Sequence, residues 1–288
     1  MRSENIITGK TRVCGLIGYP VGHSMSPAMF NAAFRELGLD YVYVTFPVRE
    51  GELGAAIAGM KALNVRGVNV TIPHKVAVVP LLDELSPLAQ KIGAVNTVIN
   101  DDGCLRGSNT DADGFLGPLL ERGIDPQGRR VVVLGAGGAA RAVSFILAER
   151  GAQLVLLNRK PERAIELAQV IFRAFQREVS ALELNVSNLE NVLGEADILV
   201  NTTSVGMAPN DGDSPVPAGL LRPGLVVYDI VYNPVRTRLL REAEAAGATV
   251  IGGLDMLVWQ GALAFEQWTG REAPRQLMKN EAIKALPK

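Results

Sequence analysis

The chain is poor in the residues that bring metal, disulfide or membrane chemistry. Its 288 residues include two cysteines, Cys14 and Cys104, and two histidines, His23 and His74. The cysteines lie far apart with no metal-ligand spacing, so neither a disulfide framework nor a zinc site is expected. They suit a reduced, cytoplasmic protein in which Cys14 is a small core residue. No run of about eighteen apolar residues occurs, as a membrane helix would need. The opening MRSENIITGKTR lacks the apolar stretch of a signal peptide and reads, through residue 10, as a flexible leader. Lys and Arg number 29 against 30 Asp and Glu, a net charge of −1 with no block of either sign. Nucleic acid or an anionic membrane would want a basic face, so neither is expected as a partner. The chain shows no internal repeat, and it is too long for one small core. Two domains are expected.

What stands out is Val131 to Arg141, VVVLGAGGAAR. Four apolar residues, Val131 to Leu134, read as a buried strand of a parallel sheet. Gly135-Ala136-Gly137-Gly138-Ala139-Ala140 follows, and Ala140 to Arg150 reads as a helix that Gly151 ends. Gly135, Gly137 and Ala140 occupy the three small positions of the G-x-G-x-x-G/A pattern. The first makes a tight turn, the second lets a pyrophosphate approach, and the third lets helix and strand pack closely. Free N–H groups at the helix start, from Gly138 and Ala139 onward, then bind phosphate. The alternative is a tight turn that binds nothing. A second buried strand, Leu154 to Leu157, ends about twenty residues on, where an NAD site wants a carboxylate for the ribose 2′-hydroxyl. The chain has Asn158-Arg159-Lys160-Pro161-Glu162-Arg163 instead. Three cations without a strand-end carboxylate favour the 2′-phosphate of NADP, with NAD possible and Glu162 the contrary sign. A plain solvated helix start is the other reading.

The remaining elements follow in order. Val13 to Gly18 reads as a strand, and a helix capped by Ser26 runs from Pro27 to Leu37. Tyr41 to Val48 is a strand, residues 51–63 a helix and Gly67 to Ile72 a strand. After Pro73-His74-Lys75 a helix is expected to continue to Leu85. Val95 to Asn100 and Leu105 to Ser108 flank the hairpin turn Asp101-Asp102-Gly103. Asp113 to Arg122 reads as a helix, and Gly123 to Arg129 as a hinge between domains. Beyond the glycine motif come a helix over Arg163 to Arg177 and an edge strand over Glu183 to Val186. Strands Ile198 to Asn201, Leu225 to Ile230 and Thr249 to Ile251 follow, with an exposed loop Ala208 to Pro217 and a helix Thr237 to Ala246. They complete a doubly wound sheet. Gly252-Gly253 reads as a second hinge, and the helical segments Leu254 to Trp268 and Pro274 to Leu286 are expected to fold back on the first domain.

Hydride chemistry on a carbonyl or alcohol needs a proton donor from the protein. His23 and His74 qualify by residue type, although a lone loop histidine is commonly structural. Lys75 is the sharper candidate, because Asn69-Val70-Thr71-Ile72-Pro73-His74-Lys75 puts it just beyond a buried strand. A surface lysine opening a helix is the alternative. Asp111 is its natural partner, unless it or Asp113 caps a helix. Such a carboxylate raises a lysine pKa, whereas acid–base work wants it lowered. Lys75 therefore either moves the proton or steadies a developing alkoxide.

Taken in order, His23-Ser24-Met25-Ser26-Pro27, Asn69 to Lys75, Gly93-Ala94-Val95-Asn96-Thr97, Asn109-Thr110-Asp111-Ala112-Asp113-Gly114, Gly135 to Ala140, Asn158-Arg159 and Trp259-Gln260-Gly261-Ala262 resemble the shikimate dehydrogenase family over nearly the whole chain after Thr11. The resemblance implies an α/β fold of two domains, an α/β substrate domain and a Rossmann-type doubly wound NADP-binding domain. It implies boundaries at 1–112, completed by helices in 254–288, and at 113–253, with the site in the cleft between them. It implies reversible NADPH-dependent reduction of 3-dehydroshikimate to shikimate in cytoplasmic aromatic amino-acid synthesis, by a monomer or homodimer. Lys75 would be catalytic with Asp111 paired to it. Ser24 and Ser26 would bind the substrate carboxylate, and Thr71, Asn96, Asp111, Tyr232 and Gln260 would line the substrate site. Ile230 and Gly253 would border the nicotinamide. Singly, each has a plainer reading: Ser26 a cap, Asn96 a hairpin residue, Gln260 a helix surface, Tyr232 packing. Many members have Thr where Lys160 stands. Members that also oxidise quinate share most of these motifs, so a quinate/shikimate enzyme and a non-catalytic metabolite-binding homologue are the alternatives.

Overall fold

A computed structural model describes residues 7–286. They fall into two units, one running to Thr110 and resuming at Val258, the other Asp111–Leu257. Of the expected leader, residues 1–6 lie outside the described residues. Beyond them, the Thr8 N–H donates to Thr11 Oγ1 (2.9 Å), and that hydroxyl donates to Asp40 Oδ1 (2.6 Å).

The first unit is built from β1 (Arg12–Gly18), α1 (Ser26–Glu36), β2 (Tyr41–Pro47), α2 (Leu53–Ala62), β3 (Gly67–Val70), β4 (Glu84–Leu85), α3 (Pro87–Ile92), β5 (Thr97–Asp101) and β6 (Cys104–Ser108). Its sheet has the order β2-β1-β3-β5-β6-β4. β1 is parallel to β2 and β3, while β5 runs antiparallel to β3 and β6 through the expected hairpin. The ends of β1, β3 and β6 and the start of β5 therefore share one edge of the sheet. Ile17, Val68, Val70, Val98 and Leu105 pack under Leu53, Ile57 and Met60 of α2 and Ala89 of α3.

Two readings are corrected here. Ser26 is the first residue of α1 rather than its cap; Met25 precedes the helix and supplies no side-chain cap. The helix expected after Lys75 does not form. Residues 73–78 make successive turns, then a short 3₁₀ turn at Val79–Leu81 leads into β4, which pairs with β6. Val76, Val78 and Val79 are weak helix formers, and Pro80 lacks an N–H and biases Val79 away from helical geometry.

The second unit comprises α4 (Thr110–Glu121), β7 (Arg130–Leu134), α5 (Gly138–Glu149), β8 (Gln153–Asn158), α6 (Pro161–Phe175), β9 (Ser180–Glu183), α7 (Val186–Leu193), β10 (Ile198–Asn201), β11 (Val226–Asp229), α8 (Arg238–Ala245) and β12 (Thr249–Gly252), with α4 opening at the boundary residue Thr110. All six strands are parallel in the order β12-β11-β10-β7-β8-β9. This is the doubly wound arrangement, whose order reverses between β7 and β10. Leu134, Leu157, Leu199 and Val227 pack against Leu189, Val192 and Leu193 of α7 and Leu239 and Leu240 of α8. Phe115 of α4 stacks on Tyr228 of β11 at 4.6 Å.

The edge strand lies three residues earlier than the sequence suggests. Asn185 caps α7 by accepting from the Asn188 N–H (2.9 Å), so Val186 enters that helix. Helices α4, α5 and α6 likewise begin two or three residues early, α6 with Pro161 in its first turn. Within the loop 208–217 Val216 is 1% exposed and joins the core. Gly123 is no hinge. Its N–H donates to Leu120 O and that of Ile124 to Leu119 O (3.0 Å each), which closes the end of α4. The Gly252-Gly253 pair likewise lies inside the second unit.

Two further helices, α9 (Gly253–Thr269) and α10 (Arg275–Lys284), close the chain. From Val258 onward they belong to the first unit. Phe30 of α1 stacks on Tyr43 at 4.4 Å and meets Trp268 of α9 at 5.3 Å. The Trp268 indole N–H donates to Val98 O (3.1 Å).

Candidate active site

The glycine turn of the second unit is built for close approach. Gly135 has φ +108°, and a Cβ there would lie 2.6 Å from Thr202 Oγ1. Its N–H donates to Leu157 O (2.7 Å), while Thr202 donates to Leu134 O through its N–H (2.9 Å) and its hydroxyl (2.6 Å). The turn is thus fixed from both flanking strands at the switch point of the sheet. Gly137 precedes α5, and a Cβ there would meet nothing within 4 Å. The first α5 bond runs from the Arg141 N–H to Gly137 O, so the N–H groups of Gly138, Ala139 and Ala140 come before it. Ala140 is buried against the sheet, while Ala136 and Ala139 are half-buried.

At the end of β8 the Asn158 side-chain amide donates to Lys160 O (2.9 Å) and holds the following turn. Arg159, Lys160 and Arg163 are exposed, and among the described residues none of them pairs with a carboxylate. Gly-lined space, helix-start N–H groups and unneutralised cations make a donor set that fits a phosphorylated dinucleotide.

The loop after β11 carries Ile230 and Tyr232. Asp229 ends β11 and is fully buried. Its carboxylate accepts from the Thr237 hydroxyl (2.6 Å), the Asn201 amide (2.9 Å) and the Val231 N–H (3.1 Å). Burial pushes its pKa up to about 6 despite those three bonds. Tyr232 is half-buried, and burial raises its phenol pKa. Gly253 has no room for a side chain, since a Cβ would lie 2.1 Å from Ile230 O. Asp111, 6% exposed, is the second residue of α4 and so not its cap.

In the first unit the shared sheet edge gathers the other candidates. Ser24 and Ser26 follow β1, Thr71 and Lys75 follow β3, and Asn96 precedes β5. The Ser24 hydroxyl accepts from the Ser26 N–H (3.2 Å). Tyr43 donates to Asn69 Oδ1 (2.8 Å) behind Ser26. Asn69 donates to Thr97 Oγ1 (3.2 Å). Asn96 Oδ1 accepts from the Thr110 N–H (2.7 Å), and its amide donates to Thr110 Oγ1 (3.0 Å) and Gln260 Oε1 (3.4 Å). A chain of buried hydroxyls and amides thus backs the edge. Lys75 is half-buried, with its carbonyl accepting from the Val95 N–H (2.8 Å). His23 is exposed on the loop after β1. His74 is 2% exposed with its ring against Val48 O, too enclosed to act as a proton donor.

Sequence reasoning missed Tyr43, Asn201, Thr202, Asp229 and Thr237. Asn201 and Asp229 carried a usable signal, as polar residues closing apolar runs that lie in register.

Models of known families match three stretches. Residues 16–98 match the shikimate dehydrogenase substrate binding domain, 120–208 match shikimate / quinate 5-dehydrogenase, and 253–283 match the shikimate 5′-dehydrogenase C-terminal domain. A relative from Moorella thermoacetica, named shikimate dehydrogenase (NADP(+)), is 51% identical over 281 residues, covering 97% of this chain and 95% of its own. A shikimate dehydrogenase crystallised in complex with NADP+ superposes with a TM-score of 0.93 at 44% identity, covering 98% of both chains. The Thermus thermophilus enzyme, crystallised with NADP(H) and shikimate, gives a TM-score of 0.86 at 42% identity, over 96% of this chain and all of that one. With half of its residues shared along nearly the entire length of such a relative, the chain belongs to the shikimate dehydrogenase family.

Proposed function

We propose that this protein is an NADP-dependent shikimate dehydrogenase, reversibly reducing 3-dehydroshikimate to shikimate on the route to chorismate and the aromatic amino acids. The observation that carries the reading is the sheet edge of the first unit. It collects Ser24, Ser26, Thr71 and Asn96, which are neutral hydrogen-bonding groups, together with one ammonium, Lys75. A small polyhydroxylated acid needs such a set, because each missing partner would strand a buried polar group.

Ser24 and Ser26 hold the substrate carboxylate, and Thr71, Asn96, Asp111, Tyr232 and Gln260 hold its hydroxyls and ring. Gly135, Ala136, Gly137, Gly138 and Ala139 hold the pyrophosphate of NADP. Asn158, Arg159, Lys160 and Arg163 hold its 2′-phosphate end, with Ile230 and Gly253 beside the nicotinamide. Bound NADPH supplies the hydride. Lys75, partnered by Asp111, serves the carbonyl oxygen as charge builds on it and supplies the proton that completes the alcohol. Two free cysteines, Cys14 and Cys104, suit a cytoplasmic setting, and no described helix is long and apolar enough to cross a membrane. The enzyme acts as a monomer or homodimer.

The test is the absorbance of reduced nicotinamide with shikimate or quinate, each with NADP+ or NAD+. Shikimate with NADP+ should give the highest kcat/KM. Equal or faster turnover of quinate would favour a quinate/shikimate enzyme, and no reduction in any mixture would favour a metabolite-binding protein.

A further inference from the structure

We propose that His74 is a positioning residue for Lys75, its buried imidazole fixing the backbone from which that ammonium acts. The proposal rests on the reading of Lys75 as catalytic. Lys75 sits between β3 and β4 on turns with no helical or strand ladder to hold them. Between Thr71 and Val78 only His74 is buried; the side chains of Ile72 and Val76 are 73% and 57% exposed. The segment's backbone bonds include His74 N–H to Thr71 O and Val78 N–H to His74 O (2.9 Å each), Val95 N–H to Lys75 O (2.8 Å), Tyr19 N–H to Ile72 O (3.0 Å) and Val79 N–H to Val76 O (3.2 Å). The imidazole adds a contact from another strand, with Nε2 2.7 Å from Val48 O just past β2. A carbonyl oxygen can only accept, so Nε2 carries the proton.

Val48 is also gripped from the other side. Its N–H donates to Gly18 O (3.0 Å), and the Tyr19 N–H donates to Ile72 O (3.0 Å). The loop bearing Ser24 and Ser26 and the loop bearing Lys75 therefore share one anchor point. An apolar ring would be cheaper to bury than an imidazole, so the directional bond is what His74 adds. It matters for catalysis because a lysine ammonium rides on a flexible stem. Displacing a reacting group by about 1 Å can cost about a hundredfold in rate.

The test compares five variants by kcat, shikimate KM and NADP+ Kd. Removing the donor in H74F should lower kcat about tenfold or more, with KM and Kd changed by less than about threefold. H74Q, whose amide reaches the same carbonyl, should restore kcat to within about threefold, and the shorter H74N should not. In a K75A background H74F should cost nothing further, since both act on one step. Wild-type kcat in H74F, an H74Q as slow as H74F, or a full additional loss in the double mutant would each overturn the proposal. If H74F does not fold, the contrast between H74Q and H74N decides, and equal rates overturn it. A fully active K75A would instead overturn the reading of Lys75, which is a separate failure.

Discussion

Asp229 is a carboxyl with no access to water, held by Thr237, Asn201 and the Val231 N–H. Its bonds tie the end of β10, the loop carrying Tyr232 and the start of α8 to a single side chain. The cost shows in its acidity, raised to about 6 by burial. An unfolded aspartate titrates near 3.9, so the folded protein binds this proton more tightly than the unfolded chain. This group's contribution is therefore largest below about pH 4 and is lost as pH rises through about 6, a change of about 3 kcal/mol. Urea unfolding of wild type and D229N from pH 4 to 7 checks the sign. The difference between the two should shift in favour of D229N across that window, and a flat difference would contradict it. The Asn201 bond was not legible from residues 229–237 alone, because that partner ends a separate strand. The exposed position of Arg159 and Lys160 just past β8 was legible, since the apolar run ends at Leu157. The proposed roles of Lys75, Ser26 and Gln260 rest on the order of many short motifs; taken singly, each residue has a plainer reading.

Among the elements, two glycines at helix starts should answer alanine in opposite ways. G253A puts a methyl 2.1 Å from Ile230 O, at the first residue of α9. A backbone atom cannot move aside cheaply, so a loss of about 2–4 kcal/mol and a lower Tm are expected. G137A meets no atom within 4 Å and should hold its Tm within a degree or two, about 0.5 kcal/mol, while weakening NADP+ severalfold. Calorimetry with nucleotide titration checks both, and the reverse order would remove the turn from the nucleotide site. The strands of the second unit were readable because their apolar runs are continuous, as both-face burial in a parallel sheet requires. The segment after Lys75 was misread because its valines sit at helical spacing while Pro80 and β-branching forbid the helix. The edge strand β9 was misplaced because Ser180–Glu183 is only partly buried and shows no apolar run.

At the scale of the molecule, length and composition predicted two units, and the family resemblance predicted their kinds. The glycine-rich stretches do not mark the crossing points. The division falls at Thr110/Asp111, as α4 opens, and at Leu257/Val258 inside α9, whereas the glycines at 123 and 252–253 end a helix and border a strand. Glycine marks where backbone geometry changes, and that need not be where one core gives way to another. The central proposal is that the Lys75 ammonium is catalytic, and one variant tests it most directly. K75A should lower kcat for shikimate oxidation by about a thousandfold while NADPH affinity, read by fluorescence, stays within about twofold. Turnover at the wild-type rate would contradict it.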